Sequence, residues 1–170
     1  LLQRICSCEG VKKAARGAGR KENEVQLVAV SKTVSADALE EALEFGHRVF
    51  GENRVQEAAS HWADLKKKHP DIKLHLIGPL QTNKVKEAVA LFDVIETLDR
   101  EKLVDALSDE MKKQGRDIPC FVQVNTGEED QKAGISARDL KGFLECCKKA
   151  ELNVTGLMCI PPVDEPARSE

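Results

Sequence analysis

The feature that most constrains this chain is an alternation: a short apolar run, then a stretch of helical periodicity, repeated along most of its length. The apolar runs are Val25 to Val30, "HRVFGEN", "KLHLIG", "DVIETLD", "IPCFVQVNT" and "LNVTGLMCI", which stops at Pro161 and Pro162. Between them lie helical patterns: Ala38, Leu39, Ala42 and Leu43; Val55, Ala58, Ala59, Trp62 and Leu65; the shorter "NKVKEAVALF"; Leu103, Leu107 and Met111; and Leu140, Phe143, Leu144 and Cys147. Ser35 is placed to cap the first of these and Gly46 to end it. Strands separated by helices of this length predict a parallel sheet, because parallel neighbours need crossovers rather than hairpins.

Neither G-x-G-x-x-G after the first strand nor G-x-x-x-x-G-K-[ST] occurs, so the two nucleotide fingerprints that favour an open doubly wound sheet are missing. The expected fold is therefore an α/β barrel of the (β/α)8 TIM type. A complete one has eight strands and typically about 250 residues. Six strands are counted in 170 residues, so the barrel is expected to be incomplete, lacking its last two βα units. The whole chain reads as a single domain, residues 1–170, opened by a basic amphipathic N-terminal helix over 1–22.

Acidic and basic residues are interleaved around a net charge of -3, without the basic stripe of a nucleic-acid binder. No run of eighteen apolar residues suggests a membrane span, so the expectation is a cytoplasmic protein with neither nucleic acid nor membrane as partner. The 6 cysteines do not fall in C-x2-C pairs; Cys6 and Cys8 are one residue apart and Cys146 and Cys147 adjacent. They read as reduced thiols, with no metal site.

In parallel βα folds, functional groups gather where strands end and loops begin. Lys32, at the end of the first run, is then either a structural charge pairing with Glu52 across the strand ends or a reactive amine. A lysine at an apolar barrel mouth is partly desolvated, which favours the neutral nucleophile able to form a Schiff base with a carbonyl compound or with pyridoxal phosphate. Asn53 either caps the following helix or faces the mouth. His75 points into the barrel or towards the helices. The loop "NTGEEDQKAGI" carries three consecutive acids that would repel a phosphate; it reads as a flexible rim with Lys132 exposed to solvent.

Together "LVAVSKT", "FGENRVQE", "HLIGPLQTNKVK", "VNTGEEDQKAGI" and "GLMCIPP" resemble, in order and spacing, the pyridoxal phosphate homeostasis proteins (the YggS/PROSC family), over about Val25 to Pro162. That family resembles the barrel domain of alanine racemase without its second domain. The resemblance implies that pyridoxal 5'-phosphate is held as an internal aldimine on Lys32, with Asn53 and His75 near it and Met158 on the floor of the site. It also implies two further strands, beyond those counted here, that supply the phosphate cradle. Leu74 stands where the family usually has an aromatic residue, a packing substitution.

By this resemblance the function is cofactor binding in intracellular vitamin B6 homeostasis, without robust turnover. Partners would be pyridoxal phosphate itself, amino acids or pyridoxal-phosphate-dependent apo-enzymes, and the full-length protein would be a monomer. A racemase needs a second base, a tyrosine from another domain in alanine racemase, and the chain has 0 tyrosines. The alternatives are a Schiff-base lyase or aldolase using Lys32 on a carbonyl substrate, and a module that binds a partner protein at its barrel mouth. Taken alone, six strands would leave two edges unpaired, so these residues are expected to bind the cofactor poorly and to associate rather than stay a compact monomer.

Overall fold

The computed structural model describes residues 7–127 and 132–161. Its first helix, α1 (Ser7–Gly17), ends five residues short of the expected position 22; a 3-10 turn over Glu22–Glu24 follows, tied back by an Arg16–Glu22 ion pair at 2.9 Å. Six strands then pair in parallel in chain order: β1 (Ala29–Val30), β2 (Val49–Glu52), β3 (Lys73–Leu76), β4 (Val94–Leu98), β5 (Cys120–Asn125) and, next to β5 on its other side, β7 (Val154–Cys159). Helices α2 (Ala36–Glu44), α3 (Val55–Lys68), α4 (Val85–Leu91), α5 (Glu101–Gln114) and α6 (Leu140–Lys149) make the crossovers. The result is a TIM-barrel-like fragment: among the described residues β1 pairs only with β2 and β7 only with β5, so the barrel is not closed.

The helices and the outward side chains of the strands share one core. Phe50, Leu74, Leu76, Ile95, Cys120 and Val122 from the sheet meet Leu39, Trp62, Phe92, Leu103, Leu107 and Phe143. Leu74 is fully buried there. The helical periodicity placed most of these residues correctly, and Ser35 does cap α2, its Oγ accepting from Ala38 N–H, while Gly46 stops it at φ +84°. Ala59 is an exception: it is exposed, because α3 turns only the stripe through Val55, Ala58, Trp62 and Leu65 towards the sheet.

Two expectations about strands change. The first strand is two residues long rather than six, and Val25 is exposed, because only β2 is available to pair with it and the ladder holds at Ala29–Phe50 and Val30–Gly51 alone. The loop after β5 is not a free rim along its whole length. Ile135–Ser136 forms an additional strand, β6, parallel to Val124 and Asn125. Lys132, expected in solvent, is half-buried, and its carbonyl accepts from Asn125 Nδ2. The acidic run Glu128–Asp130 lies outside the described residues.

Several polar contacts brace the amino ends of the strands. Asp93 accepts from Lys66 Nζ at 2.6 Å and from Leu74 N–H at 2.8 Å, tying the loop before β4 to α3 and β3. Arg116 donates to the carbonyls of Val89 and Phe92. No helix among the described residues is long and apolar enough to cross a membrane.

Candidate functional site

The carboxyl ends of β1 and β2 sit side by side. Ser31 N–H donates to Gly51 O at 3.0 Å, which carries the pairing one residue past the last strand pair. Lys32 follows in a turn closed by Val34 N–H donating to Ser31 O at 3.1 Å. The lysine is exposed. This differs from the partial desolvation expected of it: the turn lifts Lys32 beyond the strand, and the other flank of β1 has no neighbour among the described residues.

The ion pair between Lys32 and Glu52 does not form. Glu52 is 1% exposed and turned the other way, towards α3, where its Oε1 accepts from Ser31 Oγ at 2.6 Å and from Trp62 Nε1 at 2.9 Å. The reason is the alternation of a strand: Glu52 shares the helix side with its register partner Leu76, while Gly51 and Asn53 belong to the other set. Phe50 stacks at a tilt on Trp62, centroids 4.6 Å apart, and completes the apolar wall around this carboxyl.

Asn53 is half-buried in the turn after β2. It is not the helix cap; that position is Arg54, which makes no side-chain cap bond. The Asn53 backbone instead lies against Gly78, where a Cβ would stand 2.2 Å from Asn53 O. Only glycine permits that approach, and this fixes the ends of β2 and β3 against one another. Thr97 Oγ1 donates to Gly78 O at 2.8 Å from β4 and extends the brace. Beside it runs a groove of about 700 Å³ between Asn53–Gln56 and Pro79–Lys84, with Arg100 at its edge.

His75 points into the barrel. Its Nδ1 is 2.6 Å from Glu96 Oε1 of β4, and it shares the inward face with its register partner Gly51. It also lines a separate cavity of about 480 Å³ whose other walls, among them Gln26, Asp93 and Pro119, come from the amino ends of the strands. Met158 is half-buried on β7, in register with Gln123 of β5. Lys32 and Asn53 thus follow the ends of β1 and β2 and His75 lies within the neighbouring β3, whereas Met158 lies on β7 at the opposite flank of the sheet.

Sequence reasoning weighed Glu52 only as a charge partner for Lys32, and passed over Ser31 and Gly78. Glu52 and Ser31 are polar residues in buried settings, and "GEN" and "VSK" gave only their type, not their direction. Gly78 did carry a signal, a glycine directly after a strand. The described free cysteines include Cys120 and Cys147, both buried; burial pushes their thiols up to about 12 and about 11. Among the described residues no group of three His, Cys, Asp or Glu side chains could hold a metal ion.

A parallel barrel fragment with a lysine at the end of its first strand defines a class, and the family model described as "Alanine racemase, N-terminal domain" matches residues 11–170. Alanine racemase of Clostridium difficile has the same fold at 12% identity and a TM-score of 0.61 over 85% of this chain and 38% of that one. Closer likenesses are particular. The pyridoxal phosphate homeostasis protein of Vibrio cholerae is 38% identical over 154 residues, 89% of this chain and 65% of that protein. The Pasteurella multocida protein of the same name is 35% identical over 95% of this chain and 70% of its own length. PipY of Synechococcus elongatus, solved without pyridoxal phosphate, superposes with a TM-score of 0.78 at 37% identity, covering 90% of this chain and 71% of PipY. The same protein has been solved with pyridoxal phosphate bound, and there the TM-score is 0.76. The chain belongs to the pyridoxal phosphate homeostasis protein family, and it spans about two thirds of the length of these curated relatives.

Proposed function

We propose that this chain is the lysine-bearing part of a cytoplasmic protein that binds pyridoxal phosphate covalently through Lys32 and holds or hands on the cofactor rather than turning over a substrate. The observation that carries the reading is the placement of Lys32. It is an exposed amine in a short turn at the end of β1, beside Asn53 at the end of β2, in a family one member of which has been solved with this cofactor.

When bound, pyridoxal phosphate supplies an aldehyde that condenses with an amine and a phosphate that needs hydrogen-bond donors. The residues present suit the first requirement. Lys32 Nζ is accessible, and the carboxylate nearest in sequence space across the strands, Glu52, is occupied by Ser31 and Trp62 and leaves the amine unpaired with it. Asn53 offers an amide at the same mouth. His75, oriented by Glu96, and Met158 face the barrel interior and would line the site from within. Amino acids and apo-enzymes that need the cofactor are the proposed partners.

Storage rather than turnover is supported by the family's name, pyridoxal phosphate homeostasis protein. The test is borohydride reduction of the complete protein with pyridoxal phosphate, followed by peptide mapping. A reduced adduct on Lys32, lost in Lys32→Ala together with the visible absorbance of the bound cofactor, is expected. An adduct that forms only with an added carbonyl substrate and without the cofactor would point instead to a lyase or aldolase, and an unchanged spectrum in Lys32→Ala would overturn the assignment.

A further inference from the structure

We propose that Glu52 is a positioning residue for Lys32, acting from the helix side of the sheet through Ser31. The proposal rests on the reading of Lys32 given above. Ser31 is fully buried; its Oγ donates to Glu52 Oε1 at 2.6 Å and lies 3.3 Å from Gly51 O, while its N–H donates to the same carbonyl. Ser31 is therefore held at both its backbone and its side chain. Neighbouring residues at a strand end point to opposite sides. Holding Ser31 against α3 directs Lys32 away from the helices.

The turn so anchored is strained. Ser31 to Val34 is closed by a hydrogen bond between its first carbonyl and its last N–H, and Thr33 sits at φ +61° in the third position. That position in such a turn is ordinarily taken by glycine or asparagine, and a β-branched residue adopts it only where the surroundings impose it. Two contacts bracket it: the Ser31 anchor on one side and, on the other, Val34, which packs against the core. Glu52 is itself costly where it stands, a carboxyl among Phe50, Leu76 and Trp62 with both donors on one oxygen. Ser31 carries the position of the carboxyl to the lysine turn, while the Trp62 bond to the same oxygen ties the carboxyl to α3 and has no link to the turn. Strain plus a buried polar anchor, both converging on one residue either side of Lys32, are accounted for if the amine must be presented in a fixed direction.

The two donors can be separated. Ser31→Ala cuts the link to the turn and leaves Glu52 bonded to Trp62; Trp62→Phe cuts the other bond and leaves the turn anchored. In the complete protein, titrated with pyridoxal phosphate by absorbance, Ser31→Ala should bind about tenfold more weakly, the loss of one buried hydrogen bond that orients the amine. Trp62→Phe should stay within about twofold of the parent although it melts at a lower temperature. Glu52→Leu, which offers no acceptor, should weaken binding as Ser31→Ala does, and Glu52→Gln, whose amide oxygen still accepts from both donors, should restore near-parental binding. Without cofactor, hydrogen exchange at the Val34 amide should speed up in Ser31→Ala and not in Trp62→Phe. Parental binding and unchanged Val34 protection in Ser31→Ala would overturn the proposal, as would binding losses in the two variants that merely track their stability. Peptide mapping of the reduced adduct in the parent tests Lys32 separately: an adduct elsewhere removes that reading, and Val34 exchange still decides whether Glu52 sets the turn.

Discussion

Replacing Gly78 by alanine tests whether the mouth is built on the contact between the ends of β2 and β3. A Cβ at this position would lie 2.2 Å from Asn53 O, 2.7 Å from its Cα and 2.8 Å from its carbonyl carbon. Non-bonded carbons are comfortable at about 3.5–4.0 Å, so the Asn53 backbone must retreat by about 1 Å. No side-chain rotation can absorb this, since every close atom is backbone. Retreat also pulls on Thr97 Oγ1–Gly78 O and on Ile77 N–H, which donates to Glu52 O at 2.9 Å. Overpacking costs typically about 1–3 kcal/mol, and the backbone clash puts Gly78→Ala at the top of that range. For a chain of this size about 3 kcal/mol lowers Tm by about 6–12 °C. Gly51→Ala is the matched control: its Cβ meets Ile77 Cδ1 and Val28 Cγ1, both at 3.0 Å and both side-chain ends that can turn aside. It should cost about 1 kcal/mol, or about 2–4 °C. Thermal melts of the two variants and the parent decide the point. If Gly78→Ala melts with the parent, or above Gly51→Ala, the close approach does not govern the mouth. Cofactor titration of Gly78→Ala adds a second reading, since displacement of Asn53 should weaken binding beyond what the stability loss explains.

Other perturbations follow from contacts described above. Asp93→Ala removes the acceptor for both Lys66 Nζ and Leu74 N–H; it should destabilise by about 2–3 kcal/mol in urea unfolding, with Lys66→Ala costing less because the backbone bond to Asp93 survives. Cys120 and Cys147 should resist iodoacetamide at pH 8 in the folded protein and react once urea unfolds it, because burial holds both thiols protonated. For the same reason their contribution to stability is present below their ordinary thiol value of 9.0 and is lost as pH rises from there through about 11 and about 12, since the unfolded chain ionises first. Unfolding midpoints at pH 8 and pH 10.5 should therefore fall less in Cys147→Ala than in the parent.

The sequence by itself determined the architecture. Six apolar runs alternating with helical stripes leave parallel pairing as the simple arrangement, and period 3.6 marks Leu39, Trp62, Leu107 and Phe143 as core, where the folded chain buries them. Five collinear motifs gave the family, and the strand-end rule singled out Lys32 and Asn53. These are local properties: periodicity, capping and punctuation by glycine and proline are written in neighbouring residues. What only the tertiary structure decided was direction and partnership. A strand end read in isolation pairs Lys32 with Glu52 by charge; the folded chain turns Glu52 into the helical layer, because alternation fixes its side and Trp62, ten residues on, and Ser31, twenty-one residues back, supply its donors. Val25 to Val30 has strand composition, yet the ladder forms at only two residues, since a strand's length is set by its neighbours and β1 has one among the described residues. Ile135–Ser136 joins the sheet for the converse reason, an available edge on β5. His75 faces the interior because the register of β3 against β2 and β4 places it beside Gly51 and within reach of Glu96, a relation between three strands that no single stretch of sequence contains.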